Sequence, residues 1–128
     1  DLFVVRVAGN VATPEEIGSL EFGTLVLGAK VLMVMGHAGC GAIKATMKGD
    51  PVPGSIASVL AEIKPGIKDI KGSPEDKPTL KKATEANVMA QVKELKASPV
   101  ISELITAGKL KIVGGYFDLE TGKVSLVS

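Results

Sequence analysis

The sequence predicts an α/β fold: a mostly parallel β-sheet flanked by helices, with an antiparallel strand at its C-terminal edge. Three observations carry this expectation. The short apolar runs Leu2–Val7 and Val31–Met35 are continuous rather than alternating, as strands covered on both faces are. Stretches of helical periodicity lie between and after them. Near the end, the turn Glu120-Thr121-Gly122-Lys123 leads into the short run Val124–Val127, the pattern of a hairpin.

Taken in order, Leu2–Val7 reads as a first strand that ends at Ala8-Gly9-Asn10. Thr13-Pro14-Glu15-Glu16 has the form of a helix start: a Thr cap, Pro at the first helical position and an acid at the third. From Ser19 onward Leu20, Phe22, Leu25, Val26 and Leu27 fill a broad helical face, and Gly28 is placed to end it. Val31–Met35, bounded by Lys30 and Gly36, reads as a second strand. Strand-helix-strand order predicts that the two strands pair in parallel through a right-handed crossover. Ala42–Lys48 and Ser55–Ile63 read as short helices, the second stopped before Pro65. Residues 64–78 are rich in Lys, Pro, Gly and Ser, lack a period, and read as an exposed loop. Thr79 is placed to cap a long helix. Its Leu80, Thr84, Asn87, Val88, Gln91, Val92 and Leu95 share one face, with two amides on that stripe. Ser98-Pro99 restarts a helix that Gly108 closes, and Leu110–Phe117 forms the next strand.

At 128 residues the chain is the size of one domain, and 45% apolar residues supply a substantial core. Its 15 basic and 14 acidic residues nearly cancel, which removes the electrostatic footprint of a nucleic-acid or anionic-membrane binder. Lys64, Lys68, Lys71, Lys77, Lys81 and Lys82 form a basic stretch, but Asp69, Glu75 and Asp76 interrupt it, so a solvated face is the reading. No run approaches the roughly 20 apolar residues that cross a bilayer. A single cysteine excludes an internal disulfide and fits the cytoplasm or another reducing compartment. The chain opens at Asp1 inside an apolar run, which predicts a fragment or a processed product, incomplete at its amino end.

The segment that carries chemistry is Gly36-His37-Ala38-Gly39-Cys40-Gly41. It places the only His and the only Cys three residues apart at the carboxyl end of a predicted strand, where open α/β sheets bind ligands. A helix beginning at Ala42 puts Cys40 at its amino terminus, where unpaired N–H groups and the helix dipole favour the thiolate that binds metal. Imidazole nitrogen and thiolate sulfur are both good zinc ligands. By spacing alone an H-x-x-C pair is weak evidence, and an inert buried Cys beside a hydrogen-bonded His is the ordinary reading.

Five segments, in order, resemble the β-carbonic anhydrases. Phe3–Asn10 is similar to that family's F-V-V-R-N-x-A/G-N strand, and Ser19-Leu20-Glu21-Phe22 to its S-I/L-E-Y/F helix. Gly36–Ala45 resembles its G-H-S-x-C-G-A-M/I-K-A turn almost position for position, and Asn87-Val88 its N-V pair. Val113–Gly122 is similar to its closing V-x-G-A-x-Y-D-L-x-T-G hairpin. Val7 departs from the family's Asn, and Gly115 from its more usual Ala.

The resemblance implies zinc-dependent reversible hydration of carbon dioxide to bicarbonate and a proton, with Zn2+ as cofactor and His37 and Cys40 among its ligands. It implies that Phe3, Ala8, Phe22 and Gly41 line a small apolar substrate pocket, and that the protein is a homodimer or higher homo-oligomer. The family's first zinc-binding Cys and its catalytic Asp-Arg pair belong to a C-x-D-x-R motif on a strand preceding the one at Phe3. No catalytic residue is therefore assigned within this chain. Two alternatives stand beside this expectation: an inactive or incomplete module with the same fold, and a related zinc hydrolase of carbonyl sulfide or carbon disulfide.

Overall fold

The computed structural model describes residues 1–127. Strand β1 (Val31–His37) pairs in parallel with β2 (Lys111–Phe117), in register from Val31 opposite Lys111 to His37 opposite Phe117. Strand β3 (Val124–Val127) returns antiparallel on the far side of β2, through a turn in which Asp118 N–H donates to the Lys123 carbonyl. The predicted α/β class and the C-terminal hairpin are both present, on a mixed sheet of order β1-β2-β3.

The first apolar run departs from expectation. Residues 1–7 form no strand and no pair with β1; Leu2 is 91% and Val4 62% exposed. A lone extended segment gains nothing without a ladder of hydrogen bonds, and β1 has a strand neighbour on only one side among the described residues. The parallel partner of β1 is β2 instead. What anchors the run is Phe3, whose ring lies against Gly23, so close that a Cβ there would sit 2.7 Å from it.

The expectation that Val31–Met35 is covered on both faces is also corrected. Leu32 and Val34 are buried, whereas Val31, Met33 and Met35 on the other face are exposed. The helices stack on one face only. They comprise α1 (Pro14–Glu21), continued by a π-helical segment Phe22–Val26, then α2 (Gly41–Lys48), α3 (Ile56–Ile67), α4 (Lys77–Lys96) and α5 (Pro99–Thr106). Against the sheet, α4 builds one core from Leu32, Val34, Val88, Val92, Leu95 and Ile101. Against α2 and α3 it builds a second, from Ile43, Ile63, Ile67, Leu80 and Ala83 together with Cys40.

Capping explains most boundaries. Thr13 and Glu16 form a reciprocal capping box at the start of α1, as expected. Ser98 accepts from Ile101 N–H and begins α5. For α4 the cap is Asp76, accepting from Thr79 N–H at 3.1 Å, rather than Thr79 itself. The helix therefore starts at Lys77, with Pro78 tolerated in its first turn. Pro65 does not stop α3, which continues to Ile67. Proline forfeits one carbonyl bond, and in the last turn that loss is small against the burial of Ile63 and Ile67. The irregular stretch is thus 68–76, shorter than predicted.

One residue after Pro65, Gly66 lets α3 approach α4 closely: a Cβ built on it would lie 2.5 Å from the Cβ of Ala90. Alanine gains about 1 kcal/mol of helix propensity over glycine. Forcing two packed helices apart costs about 1–3 kcal/mol. Gly66→Ala is therefore expected to lower stability despite the better helix former, read as a lower urea midpoint at unchanged m-value.

The two amides on the buried stripe of α4 hold the chain that precedes α1. Gln91 Oε1 accepts from Ala12 N–H at 2.9 Å, and Asn87 Nδ2 donates to the Gly9 carbonyl at 2.8 Å. Gln91 Nε2 donates to Asn87 Oδ1 at 3.1 Å and joins the pair. Both residues are buried. Only a single 3-10 turn, Ala8–Asn10, with Asn10 N–H donating to the Val7 carbonyl, orders the backbone here, and the two amides satisfy groups that this turn leaves open.

Candidate metal centre

Strand β1 ends on α4 without a side chain between them at Gly36, where a Cβ would come within 2.8 Å of both Thr84 and Val88. This contact fixes the height at which the next residue, His37, leaves the sheet. Ala38 N–H donates to the Phe117 carbonyl at 2.9 Å, which carries the ladder one step past the strand. Gly39 then turns the chain with φ of 68°, a conformation glycine adopts without penalty. Cys40 follows as the N-cap of α2, its carbonyl accepting from Lys44 N–H at 3.1 Å.

His37 is exposed and its Nδ1 lies 2.8 Å from the Ala38 carbonyl oxygen. A carbonyl only accepts, so the Nδ1 that faces it is the donor, and Nε2 is the ring nitrogen left to meet a metal. Fixing the tautomer through a backbone carbonyl is the usual way a metal-binding imidazole is oriented. Cys40 is a free thiol, 3% exposed, packed in the α2–α3–α4 core. Coordination to a divalent cation deprotonates such a thiol outright. In donor type the pair fits zinc. In number it does not close a site: among the described residues no group of three or more His, Cys, Asp or Glu is placed to hold a metal, and catalytic zinc keeps three protein ligands.

The remaining predicted residues fall into two groups. The turn Ala8–Asn10 lies beside the start of α2; a Cβ on Gly9 would meet Ile63 at 2.6 Å and Ala42 at 3.5 Å. Ala8 and Gly41 are thus on neighbouring elements, both exposed. Phe3 and Phe22 lie around Gly23, 44% and 52% exposed.

Sequence reasoning missed Asn10. Its backbone sits at φ of 43°, its Oδ1 is 3.5 Å from the Cβ position of Gly36, and its Nδ2 is buried with no hydrogen-bond partner. The available signal was the Gly9-Asn10 pair itself, since asparagine is the side chain that tolerates the left-handed region best. Behind the strand end, Tyr116 is buried beside Gly36 in register, with Lys81 Nζ 5.2 Å above its ring. Burial holds its hydroxyl above the usual phenol range, so it stays neutral near that strand end. On α2, Lys44 and Lys48 both reach Glu75 at 3.5 Å; Lys44 foremost draws its carboxyl below the usual range. These exposed pairs add little stability.

An α/β sheet that ends in an oriented imidazole, followed by a thiol at a helix cap, defines a candidate zinc protein. The sequence matches the carbonic anhydrase family over residues 1–124, and the chain belongs to that family, in its β class. It is 32% identical over 133 residues to a carbonic anhydrase of Mycolicibacterium smegmatis, covering all of this chain and 64% of that protein. It is 32% identical over 131 residues to carbonic anhydrase 2 of Mycobacterium tuberculosis, covering 98% of this chain and 62% of that protein. Among solved structures, a tetrameric β-carbonic anhydrase of Sordaria macrospora superposes with a TM-score of 0.91 at 23% identity, covering all of this chain and 68% of that one. Coccomyxa β-carbonic anhydrase superposes at 0.85 with 27% identity, covering 98% of this chain and 60% of that one. The chain spans less than two thirds of the length of these two curated relatives.

Proposed function

We propose that this chain is the zinc-binding portion of a β-class carbonic anhydrase that reversibly hydrates carbon dioxide to bicarbonate. The observation that carries the reading is His37: its Nδ1 is committed to the Ala38 carbonyl, leaving Nε2 free three residues before a thiol at a helix cap. His37 and Cys40 would hold zinc, which, as in carbonic anhydrases of the three-histidine class, supplies the Lewis acidity that makes water a nucleophile near neutral pH. The chain's own residues orient and exclude. The backbone carbonyl of Ala38 fixes the ring, Gly36 seats the strand end on α4, and Phe3, Ala8, Phe22 and Gly41 offer apolar surface for a substrate that carries no charge. The third ligand and the Asp-Arg pair of the family pattern would lie on a C-x-D-x-R strand, and the edge of β1, which has no strand partner among the described residues, would be its neighbour.

The test is stopped-flow hydration by zinc-loaded protein, comparing this chain with one extended at its amino end by such a strand. A rate well above the uncatalysed one in the extended protein supports the reading, and a rate equal to the uncatalysed one with zinc bound overturns it. A substrate panel separates carbon dioxide from carbonyl sulfide and carbon disulfide. A second reading, a binding module of the same fold without a working metal centre, is favoured by the absence of a third donor among the described residues. About one tightly held zinc per chain by metal analysis rejects it.

Homo-oligomerisation belongs to the same proposal. The sheet face of Val31, Met33, Met35 and Leu126 is exposed and apolar, and a second copy would cover it. Sedimentation gives the result directly: a dimer or larger species supports it, a monomer at micromolar concentration does not.

A further inference from the structure

We propose that a second, cationic site lies at the opposite end of the sheet from His37 and Cys40, and that it takes a compact polyanion of the class of organic phosphates and polycarboxylates. A cavity of about 590 Å³ opens where the amino ends of β1 and β2 meet the ends of the π-helical segment and α5, and Lys30, Lys109 and Lys111 line it. That volume lies in the range of small-molecule sites. At about 3.3 Å per residue, seven-residue strands put it roughly 20 Å from His37, so it is not an extension of the metal centre.

Backbone hydrogen bonds place the Cα positions of the three lysines around the cavity mouth. Lys111 N–H donates to the Lys30 carbonyl at 3.0 Å, which sets Lys30, the residue before β1, beside the first residue of β2. Gly108, at φ of 71°, turns the chain back from α5, and Lys109 N–H donates to the Leu104 carbonyl at 2.9 Å. No acidic residue lines the cavity, and among the described residues none of the three ammonium groups lies within 4.0 Å of a carboxylate. By contrast Lys44, Lys48, Lys77 and Lys81 all do.

The carboxyl end of α5 faces this region, and a helix end presents about half a negative charge. The π-helical segment presents its own carboxyl end there as well; three full positive charges exceed the two helix ends together about threefold, so the mouth is net cationic. Leu25, Leu104 and Leu110 supply an apolar wall. Three separated ammonium groups beside an apolar wall match a ligand with several anionic groups on one small body better than a monovalent ion, which would satisfy one lysine at a time.

The test is a titration of the uniformly 15N-labelled chain with pyrophosphate and, separately, citrate, at ionic strength held constant with sodium chloride. The expected result is saturable shifts centred on the amides of Gly28, Gly108 and Lys111, with apparent affinity falling about tenfold or more in the K30Q/K109Q/K111Q variant. All three side chains belong to exposed residues, so the fold should persist; far-UV circular dichroism checks this, and the single variants Lys30→Gln and Lys109→Gln must each weaken binding. Lys64→Gln and Lys68→Gln, outside the cavity lining, should leave it unchanged. Equal affinity in wild type and the triple variant, shifts spread over all lysines, or shifts reproduced by chloride alone would overturn the proposal. Pyrophosphate and citrate binding with different affinities identifies which of the two ligand classes the site prefers.

Discussion

Replacing Cys40 with serine is expected to lower the zinc affinity of this chain at least about 100-fold. Loss of a group that merely orients a ligand costs about 10–100-fold, and Cys40 stands in the ligand position itself. Its burial among Ile43, Ile63 and Ile67 complicates the serine, because a hydroxyl enters an apolar core. Cys40→Ala removes the sulfur without that penalty and should lose zinc equally. His37→Ala should do the same from an exposed position with little change in stability. Competition with a chromophoric chelator measures all three. Binding requires a neutral imidazole and a thiolate, so affinity should fall as pH falls, with protons released on loading. Retention of wild-type affinity in Cys40→Ala would remove Cys40 from the site.

Gln91→Leu is expected to destabilise the fold by about 2–6 kcal/mol. The substitution keeps nearly the same volume, so the cost comes from polar groups left without partners rather than from a cavity. Ala12 N–H and Asn87 Oδ1 both lose their bond, and each stranded buried group costs about 1–3 kcal/mol. A domain of this kind has about 5–15 kcal/mol in total. Lys93→Leu, two residues along on the exposed side of the same helix, should change stability by less than about 0.5 kcal/mol. Urea denaturation separates the two outcomes. The site feels the loss as well, because segment 9–12 that Gln91 and Asn87 hold lies beside α2.

What could be read from sequence was whatever one element decides by itself. The stripe of α4 from Leu80 to Leu95 is buried as its 3.6-residue spacing requires, and Ser98 caps α5 because serine before proline has few other uses. The five ordered segments led to the same family that the matches show. What could not be read depends on partners. Leu2–Val7 has the composition of a strand, but strands exist only in pairs. Coverage of β1 on one face rather than two is a property of where α4 lies. Pro65 inside α3 reflects the burial on either side of it, and Asp76 takes the cap from Thr79, three residues on, as the stronger capping residue of the two. The burial of Asn10 at one end of β1, and the convergence of Lys30, Lys109 and Lys111 at the other, arise only in the folded chain.

X-ray absorption at the zinc edge of the metal-loaded chain bears most directly on the central claim, that His37 and Cys40 together ligate zinc. The account predicts one sulfur scatterer at about 2.3 Å and one imidazole nitrogen at about 2.0–2.1 Å, the remaining positions being filled by lighter atoms. The sulfur should vanish in Cys40→Ala and the imidazole signature in His37→Ala. A shell of oxygen and nitrogen alone in the wild-type chain would contradict it.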